Sequence, residues 1–115
     1  MNMRTVQINK SVESPIFVIY KEDKIIGELH LSEVSWDTSI CYISYIEIYK
    51  KNIGDGSKLI KHIINLLKSH PIIKFIELEA TKDSIEFWKK MGFIESNRIG
   101  ALEIDNTRMC FDLNN

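Results

Sequence analysis

Cysteine and a surplus of either charge are scarce in this chain, and each scarcity removes a class of protein. Only two cysteines occur in 115 residues, Cys41 and Cys110, far apart and without Cys-x-x-Cys spacing. That excludes a disulfide scaffold or a zinc ribbon and predicts a reduced pair of small hydrophobes. Neither cysteine has a histidine nearby in sequence, so a catalytic thiol is not expected. His30, His62 and His70 are scattered with no ligand spacing, and no metal site is predicted. Lysine plus arginine number 15 against 16 acidic residues. A net charge of −1 creates no global field for nucleic acid or an anionic membrane, and neither partner is expected. No apolar run approaches the roughly 20 residues that span a bilayer. The first ten residues carry no apolar signal core. The expected compartment is the cytoplasm.

What is present is a balanced globular composition, 44% hydrophobic and 27% charged. Length, and the lack of any linker or repeat, predict one domain over 1–115. Arg4 to Ile8 alternates weakly and suits a first strand. Ile16-Phe17-Val18-Ile19-Tyr20 and Ile25 to Leu31 flank a polar turn, Lys21 to Lys24, and read as an antiparallel hairpin. Ile40 to Tyr49 is almost wholly apolar or aromatic, as a strand buried on both faces would be. Leu59, Ile60, Ile63, Ile64, Leu66 and Leu67 then recur at helical spacing until Pro71. Ile72 to Leu78 reads as the next strand, so strand, helix and strand imply a parallel pair with a right-handed crossover. A short helix over Asp83 to Met91 follows, with Asp83 and Glu86 patterned as a capping box and Gly92 suited to the left-handed C′ position. Last strands near 93–96 with 99–104, and 109–113, close the chain. The fold class is α+β, with a mixed, mostly antiparallel sheet.

The most telling segment is Lys51-Asn52-Ile53-Gly54-Asp55-Gly56-Ser57, at the junction of the long strand and the clearest helix. Two glycines let a backbone approach a ligand closely, and a helix start offers unpaired N–H groups at a positive dipole end. Phosphate binds such places. Lys50, Lys51, Lys58 and Lys61 crowd the same region, which suits a polyphosphate. The alternative reading is an ordinary strand-to-helix loop.

Lys51-x-x-Gly54-x-Gly56 resembles the coenzyme loop of the GNAT superfamily of N-acetyltransferases, Arg or Gln, two residues, then Gly-x-Gly or Gly-x-Ala. Phe87-Trp88-Lys89-Lys90-Met91-Gly92-Phe93 resembles that family's closing signature, aromatic-Tyr-x-x-Leu-Gly-Phe. The resemblance covers Phe17 to Leu113. It implies a GNAT-type sheet with helices on both faces and a splayed central strand pair. It implies acetyl-CoA as co-substrate, with pyrophosphate on the backbone of residues 51–57 and Lys58 alongside. It implies main-chain bonds from Ile46 and Ile48 to the pantetheine arm, and an amine acceptor at the acetyl end.

Departures from the pattern sharpen the expectations. The family's usual thiolate acid is the Tyr of the closing signature, and here it is Trp88. An indole N–H donates a hydrogen bond but gives up no proton at useful pH. Trp88 is therefore expected to pack against the coenzyme, or simply to fill the core. Tyr45, with Tyr42 or Tyr49 or a bound water as alternatives, would supply the proton instead. Strand alternation places Tyr45, Glu47 and Tyr49 on one face and Ile46 and Ile48 on the other. Glu47 is the only carboxylate in that strand, so it is the candidate general base; the plain reading is a solvated or lysine-paired carboxylate. Glu77 and Glu79 are weaker candidates, since charges at a strand end usually face solvent.

Between the first two strands only about seven residues, Asn9 to Pro15, replace the helices that wall the family's acceptor pocket. An open acceptor site is expected, for a large acceptor or for completion by a second protomer as a homodimer. The leading function is acetyl-CoA-dependent N-acetyl transfer to a primary amine, small or on a protein. The alternatives are a coenzyme-binding or interaction protein with little catalysis, and transfer from a longer acyl-CoA.

Overall fold

In a computed structural model, the structure describes residues 3–32, 39–49, 55–97, 102 and 105–114. Within them β1 (Met3–Gln7), β2 (Ile16–Lys21), β3 (Lys24–Leu31) and β4 (Ile40–Ile48) precede α1 (Asp55–Lys68). Then come β5 (Phe75–Ala80), a 3-10 turn (Lys82–Ser84), α2 (Ile85–Lys90), β6 (Ile94–Glu95) and β7 (Thr107–Asp112). The strands form one sheet in the order β1-β2-β3-β4-β5-β7-β6. All neighbours are antiparallel except β4 and β5, which are parallel and joined by α1. This is the mixed, mostly antiparallel α+β sheet expected.

β-Branched and aromatic residues dominate β2 to β4, and their pleat decides which side is buried. On β4, Cys41 and Ile43 are buried. Leu31 pairs with Ile43 while His30 pairs with Tyr45, so Ser44 is an extra residue, a bulge. That extra residue keeps Ile46 and Ile48 on the side of Cys41 and Ile43. The same side receives Ile19, Leu29, Ile76 and Met109 from neighbouring strands and Leu59, Ile60, Ile63 and Leu67 from α1. Each such side chain contributes about 1.5–3 kcal/mol on burial. α2 adds Trp88, whose ring meets Phe87 and Phe93 edge-on, and Phe93 stacks at a tilt on Phe111 of β7. Gly92 closes α2 with φ of 99°, and a Cβ there would lie 2.8 Å from the Phe111 ring.

Several expectations need correction. Both described helices pack on this one face; helices on both faces are not found among the described residues. The physical reason is the short β1–β2 connection, a loop tied by Asn9 Oδ1 accepting from Ile16 N–H (2.9 Å) and by Gln7 Nε2 donating to the Ser11 carbonyl (2.9 Å). Accordingly β4 is not buried on both faces, since Ser44, Tyr45, Glu47 and Tyr49 are exposed. β5 starts at Phe75 rather than Ile72, because its parallel partner begins at Ile40, opposite Phe75. No capping box forms; Ser84 precedes α2 without a side-chain cap, and its hydroxyl bonds back to the Thr81 carbonyl. The strand expected at 99–104 falls mostly outside the described residues.

Candidate active site

β4 and β5 stay paired only from Ile40 and Phe75 to Ile43 and Leu78. Past that rung β4 continues with β3 to Ile48, and β5 continues with β7 to Ala80. The bulge at Ser44 falls where the two strands part. The expected splay is therefore present, and a cleft of about 810 Å³ fills it. Ile43 and Leu78 form its floor, and Ile46, Ile48, Gly56, Ser57, Ile60, Phe87 and Trp88 line it from the helix-covered face. Tyr45, Glu47 and Glu79 line it from the open face. The cleft is thus a slot through the sheet, with an apolar end under the helices and a carboxylate end on the bare side.

Main-chain groups also face it. Tyr49 N–H donates to the Ile26 carbonyl (2.9 Å), and the Glu47 carbonyl likewise lies towards Gly27 on β3. Alternation then turns the amide groups of Ile46 and Ile48 the other way, towards the gap left by β5. At the start of α1 an added Cβ on Gly56 would come within 3.2 Å of Ile48 Cδ1, so glycine there holds the cleft wall open. Lys58 is exposed on α1 and does not line the cleft. Asp55 begins α1. Lys51, Asn52, Ile53 and Gly54, the heart of the expected phosphate loop, lie outside the described residues.

On the open face a polar cluster surrounds Glu47. Its Oε1 accepts from the Tyr45 hydroxyl. Tyr49 donates to Glu28 Oε1 at 2.6 Å, Glu28 Oε2 meets His30 Nε2, and the His30 ring lies edge-on to Tyr45 at 4.9 Å. Glu28 and Glu47 are direct cross-strand partners. The Tyr49 bond, and then the His30 bond, hold the Glu28 carboxyl below its ordinary range. The bond to Glu28 pushes the Tyr49 phenol up to about 12, and the bond to Glu47 raises that of Tyr45. Tyr42, half-buried, is raised by burial and by the charges of Glu79 and Glu77. These phenols keep their protons at neutral pH, and Tyr45 and Tyr49 act as hydrogen-bond donors to carboxylates.

Glu77 is not the solvated strand-end charge expected. It sits mid-strand, 1% exposed, with Arg108 Nε 3.7 Å from its Oε1. Glu79, half-buried, accepts from Asn106 Nδ2 at 2.5 Å. Trp88 fills the core, one of the two readings, and its ring is also part of the cleft wall. Cys41 is buried, and burial pushes its thiol up to about 11, so the neutral thiol is favoured at neutral pH. Sequence reasoning missed Glu28, His30 and Asn106. Alternation along β3 puts Glu28 and His30 on one face, but only the β3–β4 register brings them to Glu47. Among the described residues no helix is long and apolar enough to cross a membrane.

The sequence matches the family model described as acetyltransferase (GNAT) domain over residues 4–107. No curated protein matches the chain. Among solved structures it is similar to a chimera of Vibrio cholerae spermidine N-acetyltransferase SpeG and hSSAT, with a TM-score of 0.72 and 17% identity. That likeness covers 88% of this chain and 66% of the other, so the chain spans just under two thirds of that protein's length. Campylobacter jejuni N-acetyltransferase PseH gives a TM-score of 0.71 at 13% identity, covering 89% of this chain and 70% of that one. Tetrahymena GCN5 gives 0.72 at 17%, covering 90% and 70%. Identities this low speak for the fold, while the family match spans most of the sequence. The chain belongs to the GNAT acetyltransferase domain family.

Proposed function

We propose that the chain is an acetyl-CoA-dependent N-acetyltransferase that moves the acetyl group directly to a primary amine. The observation that carries this reading is the slot between β4 and β5, apolar under the helices and acidic on the open face. Such a slot lets a thioester and an amine approach one another from opposite sides of the sheet. The Ile46 and Ile48 amide groups suit the amide-bearing arm of the coenzyme, and Gly56 and Ser57 at the start of α1 suit its phosphates together with residues 51–55. Trp88 packs along the thioester end.

Glu47 receives the proton that the ammonium must lose before its nitrogen can attack, an ion of pKa near 10 in free alkylamines. Tyr45 fixes that carboxylate through its hydroxyl and is the phenol nearest the slot for returning a proton to the departing thiolate. Attack forms the C–N bond and breaks the C–S bond. One proton leaves the nitrogen for solvent by way of Glu47, and one ends on sulfur. A second reading, a coenzyme-binding protein with little chemistry, is favoured by Trp88 at the usual acid position.

The test incubates the protein with acetyl-CoA and a panel of alkylamines, polyamines and lysine peptides, with products weighed by mass spectrometry. Acetylated amine is expected, and Glu47→Gln is expected to lower its rate by about 10²-fold or more. Tight acetyl-CoA binding with no product on any amine would replace this reading by the second one.

A further inference from the structure

Glu47 is not the only carboxylate at the acidic end of the slot. Glu79 lies on the facing strand, one residue beyond the last β4–β5 rung, and on the same side of the sheet. Its place is built rather than incidental. The residue is half-buried, and Asn106, at the turn into β7, donates to its Oε2 at 2.5 Å, which fixes the rotamer. Its cross-strand neighbour Arg108 also stands beside the buried Glu77, with Nε 3.7 Å from Oε1. The two diverging strands therefore each present a carboxylate to the same gap. An alkylamine reaches that gap as a cation at neutral pH, and a cation between two fixed carboxylates is held where the slot opens on the thioester.

We propose that Glu79 is the acceptor-binding carboxylate of this enzyme, contacting the acceptor's ammonium across the slot from Glu47, with Asn106 as its positioning residue. Selection is thereby for cationic amines, because the site is matched to charge before it is matched to shape. The division of labour follows: Glu79 binds, Glu47 takes the proton. The inference rests on the acetyltransferase reading above and names a role within the same site.

The experiment takes the alkylamine turned over fastest in the amine panel, and the alcohol in which hydroxyl replaces its amino group. KM for the amine and the inhibition constant for the alcohol are measured with wild type, Glu79→Gln and Asn106→Ala. Loss of one charge-assisted contact is expected to raise the amine KM about tenfold or more in Glu79→Gln, and less in Asn106→Ala. The alcohol constant and the acetyl-CoA dissociation constant are expected to stay within about twofold, because neither ligand presents a cation to Glu79. An unchanged amine KM in both variants would overturn the inference. So would amine and alcohol weakening together, the sign of a structural role. Asn106→Ala keeps the strand residue and its charge, and decides the matter if Glu79→Gln does not fold. Absence of turnover with every amine by wild type would instead overturn the acetyltransferase reading, and this inference with it.

Discussion

Trp88 concentrates the residue-scale question, because one ring serves both core packing and the helix-side wall of the slot. It is 7% exposed and held edge-on between Phe87 and Phe93, so its geometry is set by the core. In the proposed reaction an indole at this position would line the thioester end of the slot but supply no proton. Replacing it with the tyrosine of the family signature keeps an aromatic ring and restores an acid. Trp88→Tyr is expected to raise kcat for acetyl transfer about tenfold or more, at a stability cost of about 1–2 kcal/mol for the lost ring volume. Steady-state kinetics with a denaturant titration checks both. An unchanged kcat would mean that the thiolate already takes its proton elsewhere, with Tyr45 the first residue to substitute. Residue identities of this kind were legible in the sequence. The alternation of Tyr45, Glu47 and Tyr49 against Ile46 and Ile48 was readable because the last four residues of β4 and the residue after it keep a period of two. The environment of Glu77 was not readable, since nothing local distinguishes a solvated carboxylate from one set beside an arginine by strand pairing.

Among the elements, α1 couples the centre of the sheet to its β1 edge. Its apolar stripe lies on β2 to β5, while His62 reaches the edge strand and shares a hydrogen bond with Thr5 Oγ1 at 2.9 Å. Partial burial holds the His62 imidazole below its ordinary value of 6.5. A lowered histidine pKa means that the unfolded chain binds the proton more readily than the folded one. Stability is then fully present above about 6.5 and is lost as pH falls from there through the folded value. Melting temperature is expected to drop between pH 7.5 and 5.5, and His62→Gln is expected to flatten that drop while keeping a partner for Thr5. Equal slopes for the two proteins would assign the pH dependence to groups other than His62, and Glu28 is not among them over this range. Its lowered pKa produces loss of stability only at more acid pH. Helix α1 itself was legible from its hydrophobic period, as was the left-handed Gly92 after α2. The bulge at Ser44 was not, although it sets where β4 leaves β5. A bulge depends on how two strands meet, and β4 alone reads as a nearly continuous apolar and aromatic run.

Across the whole molecule, the sheet has one face buried under both described helices and one face on which Tyr45 and Tyr49 are 45% and 44% exposed. The family resemblance implied helices on both faces, but the short first connection pointed to an open acceptor side. About seven residues between the first strands leave no room for covering helices, and the loop they form is held by its own side chains. What the sequence could not convey is that the bare face is also the acidic end of the slot, because that needs the register of β3, β4, β5 and β7 together. The consequence concerns acceptor size. A walled pocket excludes a lysine carried on a polypeptide, whereas among the described residues nothing stands over Glu47 and Tyr45 to do so. Acceptors of very different bulk should therefore be used with similar efficiency, provided that each presents a flexible ammonium. For an alkylamine and for the same group on a lysine within an unstructured peptide, kcat/KM is expected to agree within about tenfold, since flanking residues neither clash nor add much binding at an open face. Competition between the two for limiting acetyl-CoA, read by mass spectrometry, gives the ratio in one tube. A preference above about 10³-fold for the small amine would require a wall, about 4 kcal/mol of discrimination, and the residues outside the described set would have to supply it.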